Sequence, residues 1–371
     1  MDYEVEFHPV GDGEKAGDAI TVRYGLNGAY EIMVIDGGTA DCGASVVEKI
    51  KKHYGEDAII THMVSTHPDA DHASGLREIL SNFSVMNLWV HGLWTHAGEV
   101  LPYLSDKRWT EAGLAQEIKN QYPIISEIIE LANAQGTQIY EPFQGAQIGP
   151  FVVLSPTAWS YARLLAQFRK TPDVDQAALE AENMYLGVRK GGVVGMFKAL
   201  VEAAANWIGE TWDHELLKEN PKTAAENETS TILYGRFGDH SVLLTADAGV
   251  NALHWACDSA EAFGFDFSTL DLIQVPHHGS RSNVCPSILD RLIGPKLPAG
   301  TITPRIAVAS VPKDNSKHPR KMVVNAFARR GVPVHKTAGV KLRHHHGAMP
   351  ARAEEGLAEP YGWFDQVEAY D

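Results

Sequence analysis

The chain has 371 residues, of which 44% are hydrophobic and 21% charged, and a net charge of −15. Those proportions fit a folded globular protein long enough to bury a large core, as one large domain or two medium ones. No stretch of about 18 apolar residues exists; the nearest candidate, Val193 to Ile208, is interrupted by Lys198, Glu202 and Asn206, so no membrane span is expected.

The N-terminus, Met1-Asp2-Tyr3-Glu4-Val5-Glu6, lacks the basic region and apolar core of a secretory signal. Three cysteines (Cys42, Cys257, Cys285) without CxxC spacing argue against a disulfide framework and against a thiolate-rich zinc site. A cytoplasmic protein is expected.

In chain order, Tyr3–Val10, Ala19–Tyr24 and Tyr30–Ile35 read as strands, the last ending in the turn signal Asp36-Gly37-Gly38. Ala44–His53 reads as a helix, Ala58–Ser65 as a buried strand, His72–Ser81 as a helix and Val85–Val90 as a strand ending at His91-Gly92. Glu111–Gln135 has helical periodicity, and Phe151–Leu154 is a short strand stopped by Ser155-Pro156. From about Thr157 to Glu228 the rhythm breaks. Phe197, Leu200, Val201, Ala204, Trp207, Ile208 and Trp212 fall on one helical stripe, which predicts a helical insertion within a single domain spanning 1–371. The insertion could cover the core, form a lid, or carry a homo-oligomer or partner contact. Alternation then resumes with strands at Thr231–Tyr234, Ser241–Leu244, Leu270–Val275, Ile306–Ser310, Val332–His335 and Val340–His344, and helices at Val250–Phe263 and Arg320–Arg330.

Four strand ends carry metal-binding residue types. The densest is His67-Pro68-Asp69-Ala70-Asp71-His72, after the apolar run Ile59 to Val64. Two imidazoles and two carboxylates on so short a loop repel and desolvate one another unless a cation offsets them. Asp36 ends Ile32-Met33-Val34-Ile35, Asp247 ends Val242-Leu243-Leu244-Thr245-Ala246, and His277-His278 follow Leu272-Ile273-Gln274-Val275-Pro276.

This set resembles the metallo-β-lactamase superfamily, whose HxHxDH hallmark is followed by a lone His, a lone Asp and a final His. Here His67-x-Asp69-x-Asp71-His72 has Asp69 in place of the second His. With Leu243-Leu244-Thr245-Ala246-Asp247 and Val275-Pro276-His277-His278-Gly279-Ser280, it is similar to the metallo-β-lactamase domain of ComEC-type DNA-uptake proteins. Val153-Leu154-Ser155-Pro156, Asn227-Glu228-Thr229-Ser230, the segment Ser310 to Pro319 and Lys336-Thr337-Ala338-Gly339 extend the likeness, which runs from about Asp36 to Gly339.

The resemblance implies an α/β fold, the four-layer αββα metallo-β-lactamase sandwich, with a helical insertion at about 157–228. It implies two divalent ions (Mn²⁺, Mg²⁺ or Zn²⁺) held by His67, Asp69, Asp71, His72, Asp247 and His277, with His278 the alternative ligand. His67 and Asp69 would point one way from the loop and Asp71 and His72 the other, with Asp247 bridging the ions. Asp36 and Ser280 would orient ligands rather than bind metal. Asp69 for His hardens the site towards Mn²⁺ or Mg²⁺. The lone His expected after the strand ending at Ser155-Pro156 is absent, a gap ComEC-like domains share, which predicts one more exchangeable metal. His91 and His96 read as structural before functional, and His344-His345-His346 as an extension of a basic stripe.

That stripe, Arg305 to Arg343, holds ten Lys or Arg against one acid, Asp314. The expected activity is phosphodiester hydrolysis by a hydroxide bridging two metals, most simply a nuclease acting on DNA rather than RNA, in a defence- or toxin-linked effector without a membrane channel. Asp71, Asp247 and His318 would serve catalysis. Lys313, Asn315, Lys317, Arg320 and Lys321 would hold the phosphate backbone. The alternatives are a hydrolase of a small phosphoester such as a cyclic nucleotide, and a non-catalytic partner-binding module with structural metals.

Overall fold

Two runs of strands hold most of the apolar side chains and form two seven-stranded sheets, one strand of the first sheet coming from the second run. The computed structural model describes residues 1–12, 17–179, 207–352 and 358–370. The first run comprises β1 (Asp2–Phe7), β2 (Ala19–Leu26), β3 (Ala29–Gly37), α1 (Ala40–Tyr54), β4 (Ile59–Val64), α2 (Ala70–Asn82), β5 (Ser84–Trp89), α3 (Ala97–Val100), α4 (Glu111–Gln121), α5 (Pro123–Gln135) and β6 (Gln138–Tyr140). The second comprises β7 (Gln147–Ile148), β8 (Phe151–Ser155), α6 (Ala158–Leu165), β9 (Trp207–Gly209), α7 (Ala225–Glu228), β10 (Ile232–Phe237), β11 (His240–Leu244), α8 (Val250–Ala262), β12 (Leu270–Gln274), α9 (Pro286–Ile293), β13 (Ile306–Ala309), α10 (Lys321–Arg329), β14 (Val334–Lys336), β15 (Leu342–His346) and β16 (Gln366–Glu368).

The strand orders are β15-β1-β2-β3-β4-β5-β6 and β14-β13-β12-β11-β10-β8-β7. Each sheet is antiparallel at one end and parallel through β3 to β6 or β11 to β14. β15 crosses from the second half of the chain to pair with β1.

Strand periodicity sorts the core into three layers. In β3, Met33 and Ile35 face the second sheet, joining Tyr3, Val5, Phe7, Val153, Leu233, Val242 and Leu272. Ile32 and Val34 face outward, where α1, α2, α4 and α5 cover them with Val46, Ile50, Leu76, Ile79, Leu114 and Ile125. On the far side, α8, α9 and α10 cover Leu243, Ile273 and Ala307 with Leu253, Ile288, Leu292, Met322 and Phe327. The chain is therefore a four-layer αββα sandwich, the expected fold class. No described helix is long and apolar enough to cross a membrane.

Two expectations change. Glu111–Gln135 is two helices, because Pro123 has no amide hydrogen to continue α4 and opens α5 instead. Of the supposed helical stripe, Phe197, Leu200, Val201 and Ala204 lie outside the described residues. Trp207 and Ile208 form β9, which pairs antiparallel with β16; their alternation serves a two-stranded ribbon and not a helix.

Two buried histidines make stability depend on pH. Burial pushes the His8 and His344 imidazoles down to about 4; His8 bonds Thr21 Oγ1 at 2.9 Å and His344 bonds the Tyr3 hydroxyl at 3.0 Å. An unfolded chain takes up these protons from about pH 6.5 downwards while the native state does not, so stability falls as pH drops towards about 4. Urea denaturation should show a loss of roughly 1–3 kcal/mol between pH 7 and 4.5, and His8→Gln should flatten that slope. An unchanged slope in the variant would remove His8 from the account.

Candidate metal centre

The parallel strands of both sheets end at one edge, and the loops that leave them build the site. Asp36 closes β3, Ser65 to Asp69 link β4 to α2, Asp247 follows β11, and His277-His278 follow β12. Five of the six described non-glycine residues with positive φ sit at these ends: Asp36, Ala246, His277, His278 and Ala338. Left-handed backbone at such residues is strained and persists only where surroundings hold it. Here Gln274 Oε1 accepts from both Thr245 N and Ala246 N at 2.9 Å, and His277 N donates to Ala246 O at 3.0 Å.

Close backbone contact fixes α2, which carries His72. A Cβ on Gly75 would lie 2.0 Å from Gly37 O, and one on Gly17 would lie 1.7 Å from Asp71 O. These glycines let β3 and the 17–18 loop press against α2, so that Asp18 reaches the site just where β2 begins beside the end of β3.

Asp247 is the hub. Its Oδ1 lies 3.4 Å from His72 Nε2 and 3.3 Å from His278 Nε2; its Oδ2 lies 3.4 Å from His277 Nε2 and 3.9 Å from His67 Nε2. Behind the imidazoles stand fixed partners. Asp36 Oδ2 lies 3.0 Å from His72 Nδ1 and also accepts from Thr66 Oγ1, while Asp36 Oδ1 accepts from Thr66 N. Thr66 Oγ1 lies 3.0 Å from His67 Nδ1. Asn227 Nδ2 and Asn283 Oδ1 flank His277 Nδ1 at 2.8 and 3.0 Å, and Asn283 also donates to Asp247 O. With Nδ1 of His72 against Asp36, its Nε2 faces Asp247.

Charge follows from this crowding. Burial would raise the Asp247 carboxyl, yet His277, His72 and His278 together hold it well below the usual carboxylate range. Burial disfavours a charged His72, but Asp247 and Asp36 outweigh it and hold the imidazole well above its ordinary value. Burial holds His278 well below and His67 below the ordinary value, with the neighbouring positive imidazoles acting in the same direction. Burial pushes Asp18 up to about 7, opposed by His72.

The residues fit a divalent metal. Buried His67 Nε2, His72 Nε2, His278 Nε2 and Asp247 Oδ1 have no hydrogen-bond partner, a set of orphans that a cation would satisfy together. Asp18, His72, Asp247 and His278 can each bring a ligand atom within 4.8 Å of the others, and so can Asp36, His67 and His72. Ligands about 2.0–2.2 Å from a tetrahedral ion lie roughly 3.4 Å apart, the spacing found on Asp247.

Other expected residues are placed differently. His67 and His72 converge, with ring centroids 4.2 Å apart, instead of pointing to opposite sides. Asp69 and Asp71 lie outside both tight groups and line a neighbouring pocket of about 400 Å³, where Asp69 faces Arg169. Ser280 Oγ accepts from Ser282 N and so closes a turn. His318 stacks parallel to His277 with centroids 6.3 Å apart, and Asn315 Oδ1 braces its loop by accepting from Lys317 N and His318 N. Lys313 and Lys317 are exposed, Arg320 is half-buried, and Lys321 turns away to lie over Trp207 and Phe364. His91 is buried and stacked on Tyr161 at 4.2 Å, in keeping with a structural role.

The basic stripe is largely internal. Arg329 pairs with Glu210 at 3.2 Å and Arg330 with Glu215 and Asp290 at 3.0 and 2.9 Å, both guanidinium groups being almost wholly buried. Lys341 meets Glu6 at 3.0 Å and Arg343 meets Glu4 at 2.6 Å. These charges neutralise acids and do not form a continuous surface track. Residues given no site role from the sequence are Asp18, Asn227, Asn283, Arg169 and Glu226; Asp18 carried a signal as a carboxylate at the start of the strand paired with β3, and Asn227 as part of the segment Asn227-Glu228-Thr229-Ser230.

No protein-family profile matches the chain, and no curated protein matches it. Similar solved structures include the metallo-beta-lactamase fold protein YhfI from Bacillus subtilis, 11% identical, covering 93% of this chain and 100% of that one with a TM-score of 0.38. Another, from Thermotoga maritima and described as a candidate metallo-beta-lactamase, is 12% identical over 41% of this chain and 66% of that one, with a TM-score of 0.27. At these values the likeness carries no argument of its own; the sheet order and the site geometry do.

Two outcomes follow from the geometry. Saturating Mn²⁺ or Zn²⁺ should raise the thermal midpoint of the wild type, by the equivalent of about 2.7 kcal/mol at a hundredfold excess over Kd, and should not shift Asp247→Ala. Asp36→Ala should weaken metal affinity roughly 10–100-fold by releasing His72, as read by calorimetry. Separately, Glu210→Ala should cost about 3–5 kcal/mol in denaturant unfolding, because it strands Arg329 in the core.

Proposed function

We propose that the chain is a metal-dependent phosphoester hydrolase of the metallo-β-lactamase superfamily, akin to ComEC-type domains, whose best substrate is a short phosphodiester. The observation that carries this reading is the division of four Nε2 atoms between the two oxygens of Asp247, two to each. That arrangement would suit divalent ions held by His67, His72, His277 and His278 around Asp247. Bound divalent ions would activate water as a nucleophile and neutralise charge developing on phosphoryl oxygens.

The chain's own residues do the positioning. Asp36, through Thr66 and His72, and Asn227 with Asn283, through His277, fix the imidazoles before any substrate arrives. Four imidazoles around Asp247 suit Zn²⁺, and the Asp247 and Asp18 carboxylates also suit Mn²⁺. Lys313, Lys317 and Arg320 stand on the loop of His318, which stacks on His277, and supply positive charge on that side.

A short substrate is favoured over duplex DNA because Arg329, Arg330, Lys341 and Arg343 are engaged by acids. A nuclease reading would rest on the exposed Lys313 and Lys317 with Arg320 beside them, which suits a strand end more than a long backbone.

Purified protein with Mn²⁺, Mg²⁺ or Zn²⁺ should hydrolyse bis(p-nitrophenyl) phosphate or a short single-stranded oligonucleotide, and His72→Ala should lose at least about a hundredfold in rate. Rates on short substrates should depend weakly on salt, in contrast to a phosphate-tracking nuclease. A metal-loaded protein that turns over no phosphodiester would sink this reading.

A further inference from the structure

Beside the metal cluster lies a pocket of about 400 Å³ whose lining differs from the cluster itself. One wall is apolar: Pro123, Ile124 and Ile125 open α5, with Tyr122 just before them. Arg169 and Lys170, from the segment after α6, also line it, Lys170 lying over the Tyr122 ring, with Glu226 from α7, and the metal loop contributes Asp69 and Asp71. The volume suits one small ligand moiety.

Arg169 is held in an unequal way. Glu226, buried to 3% side-chain exposure, accepts through the same Oε1 from Arg169 N at 2.8 Å and from Arg169 Nε at 2.9 Å. Two donors of one residue converging on one buried oxygen fix the direction of the guanidinium. On its outer edge, Nη2 lies 3.4 Å from both oxygens of Asp69, with the Arg169 side chain about half exposed at 49%. Charge-assisted bonds are normally about 2.7–2.9 Å, so this second contact is loose, and exposed pairs of this kind contribute little stability. Such a pair has little reason to be built as a stabilising bridge. A guanidinium clamped along its Nε edge, with its outer edge lightly engaged, is prepared to exchange a carboxylate for a phosphate.

Asp69 supplies the other half of the argument. It belongs to the metal loop, two residues after His67, and a carboxylate drawn to a cation would release Nη2. With no cations, the lining carries Asp69, Asp71 and Glu226 against Arg169 and Lys170, which disfavours an anion. Divalent ions in the adjoining cluster reverse that sign.

We propose that Arg169, anchored by Glu226, clamps a second anionic group of the substrate, so that the ligand class is a phosphoester carrying two anionic groups, one at the Asp247 cluster and one at Arg169. The apolar wall at Tyr122 to Ile125 would take the moiety between them. This rests on the phosphoester reading above and specifies its substrate.

The test is calorimetric binding to the full chain with its bound divalent ions, using thymidine 3′,5′-bisphosphate and thymidine 5′-monophosphate as probes. The wild type should bind the bisphosphate at least about tenfold more tightly, the return of one charge-assisted fork, and R169A should bring the two within about twofold. R169K, which keeps the charge and loses the fork, and E226A, which removes the oxygen that anchors the guanidinium, should each shrink the preference. A wild type with no preference, or a preference that survives in R169A of native circular dichroism, overturns the clamp. Should R169A not fold, an undiminished preference in R169K overturns it equally. Phosphodiester turnover by the wild type, measured separately, keeps the two ideas apart. Preference without any turnover would remove the hydrolytic reading and retain the clamp, and turnover without preference would do the reverse.

Discussion

Everything at the site depends on one carboxylate. Asp247 is 4% exposed and sits among four imidazoles, two of which (His72 and His278) share one of its oxygens. Removing a carboxylate from water is costly unless positive charge accompanies it. The facing imidazoles answer that need in part, and Asp247 and Asp36 together hold His72 well above its ordinary value. Such a cluster is poorly satisfied on its own: Oδ1 and three facing ring nitrogens lack hydrogen bonds. The same atoms become complementary once a divalent ion stands among them, which is why the cluster reads as a binding site and not as a core defect.

The fold exists in the form that brings these groups together. Each sheet turns parallel through strands whose C-terminal ends meet at one edge, and the halves are joined there directly, since Thr231 donates through both N and Oγ1 to Thr66 O. That bond ties the start of β10 to the loop bearing His67. The backbone strain at Asp36, Ala246, His277 and His278 is gathered at the same edge. Strain kept at a site and absent from the surrounding layers is consistent with geometry held for function.

Much of this was legible from strand-end chemistry. Asp36, His67, His72, Asp247 and His277-His278 each follow an apolar run, and a strand that stops on a ligand residue leaves a mark in sequence. Asp18 left a fainter one, because it opens β2 and reaches the site only through antiparallel pairing of Ala19 with Gly37. Asn227 stood in a segment of the family likeness but with no role attached, and Asn283 and Arg169 left no mark. Their roles depend on hydrogen bonds between segments distant in the chain, such as Asn227 to His277, which no local pattern encodes. The directions of Asp69 and Asp71 were also beyond the sequence, for alternate spacing on a loop does not fix which way a side chain turns.

The basic stripe shows why charge counted along a chain misleads. Ten cations between Arg305 and Arg343 suggest a polyanion surface, but four of them lie in ion pairs: Arg329 with buried Glu210, Arg330 with half-buried Glu215, and Lys341 and Arg343 with buried Glu6 and Glu4. Glu4 and Glu6 alternate with Tyr3, Val5 and Phe7 along β1, so they occupy the outward face of a strand whose inward face is apolar. Their burial demands cations, and Lys341, Arg343 and Arg352 meet that demand from the far end of the chain. Positive charge near the site is therefore local: exposed Lys313 and Lys317 with half-buried Arg320 on one loop, and Arg169, paired with Glu226, with Lys170 at the pocket. With −15 overall, long-range attraction of a polyanion is weak, and any anion must be captured at short range by bound metals and these few groups. Short-range capture selects small, multiply charged ligands over long uniform ones.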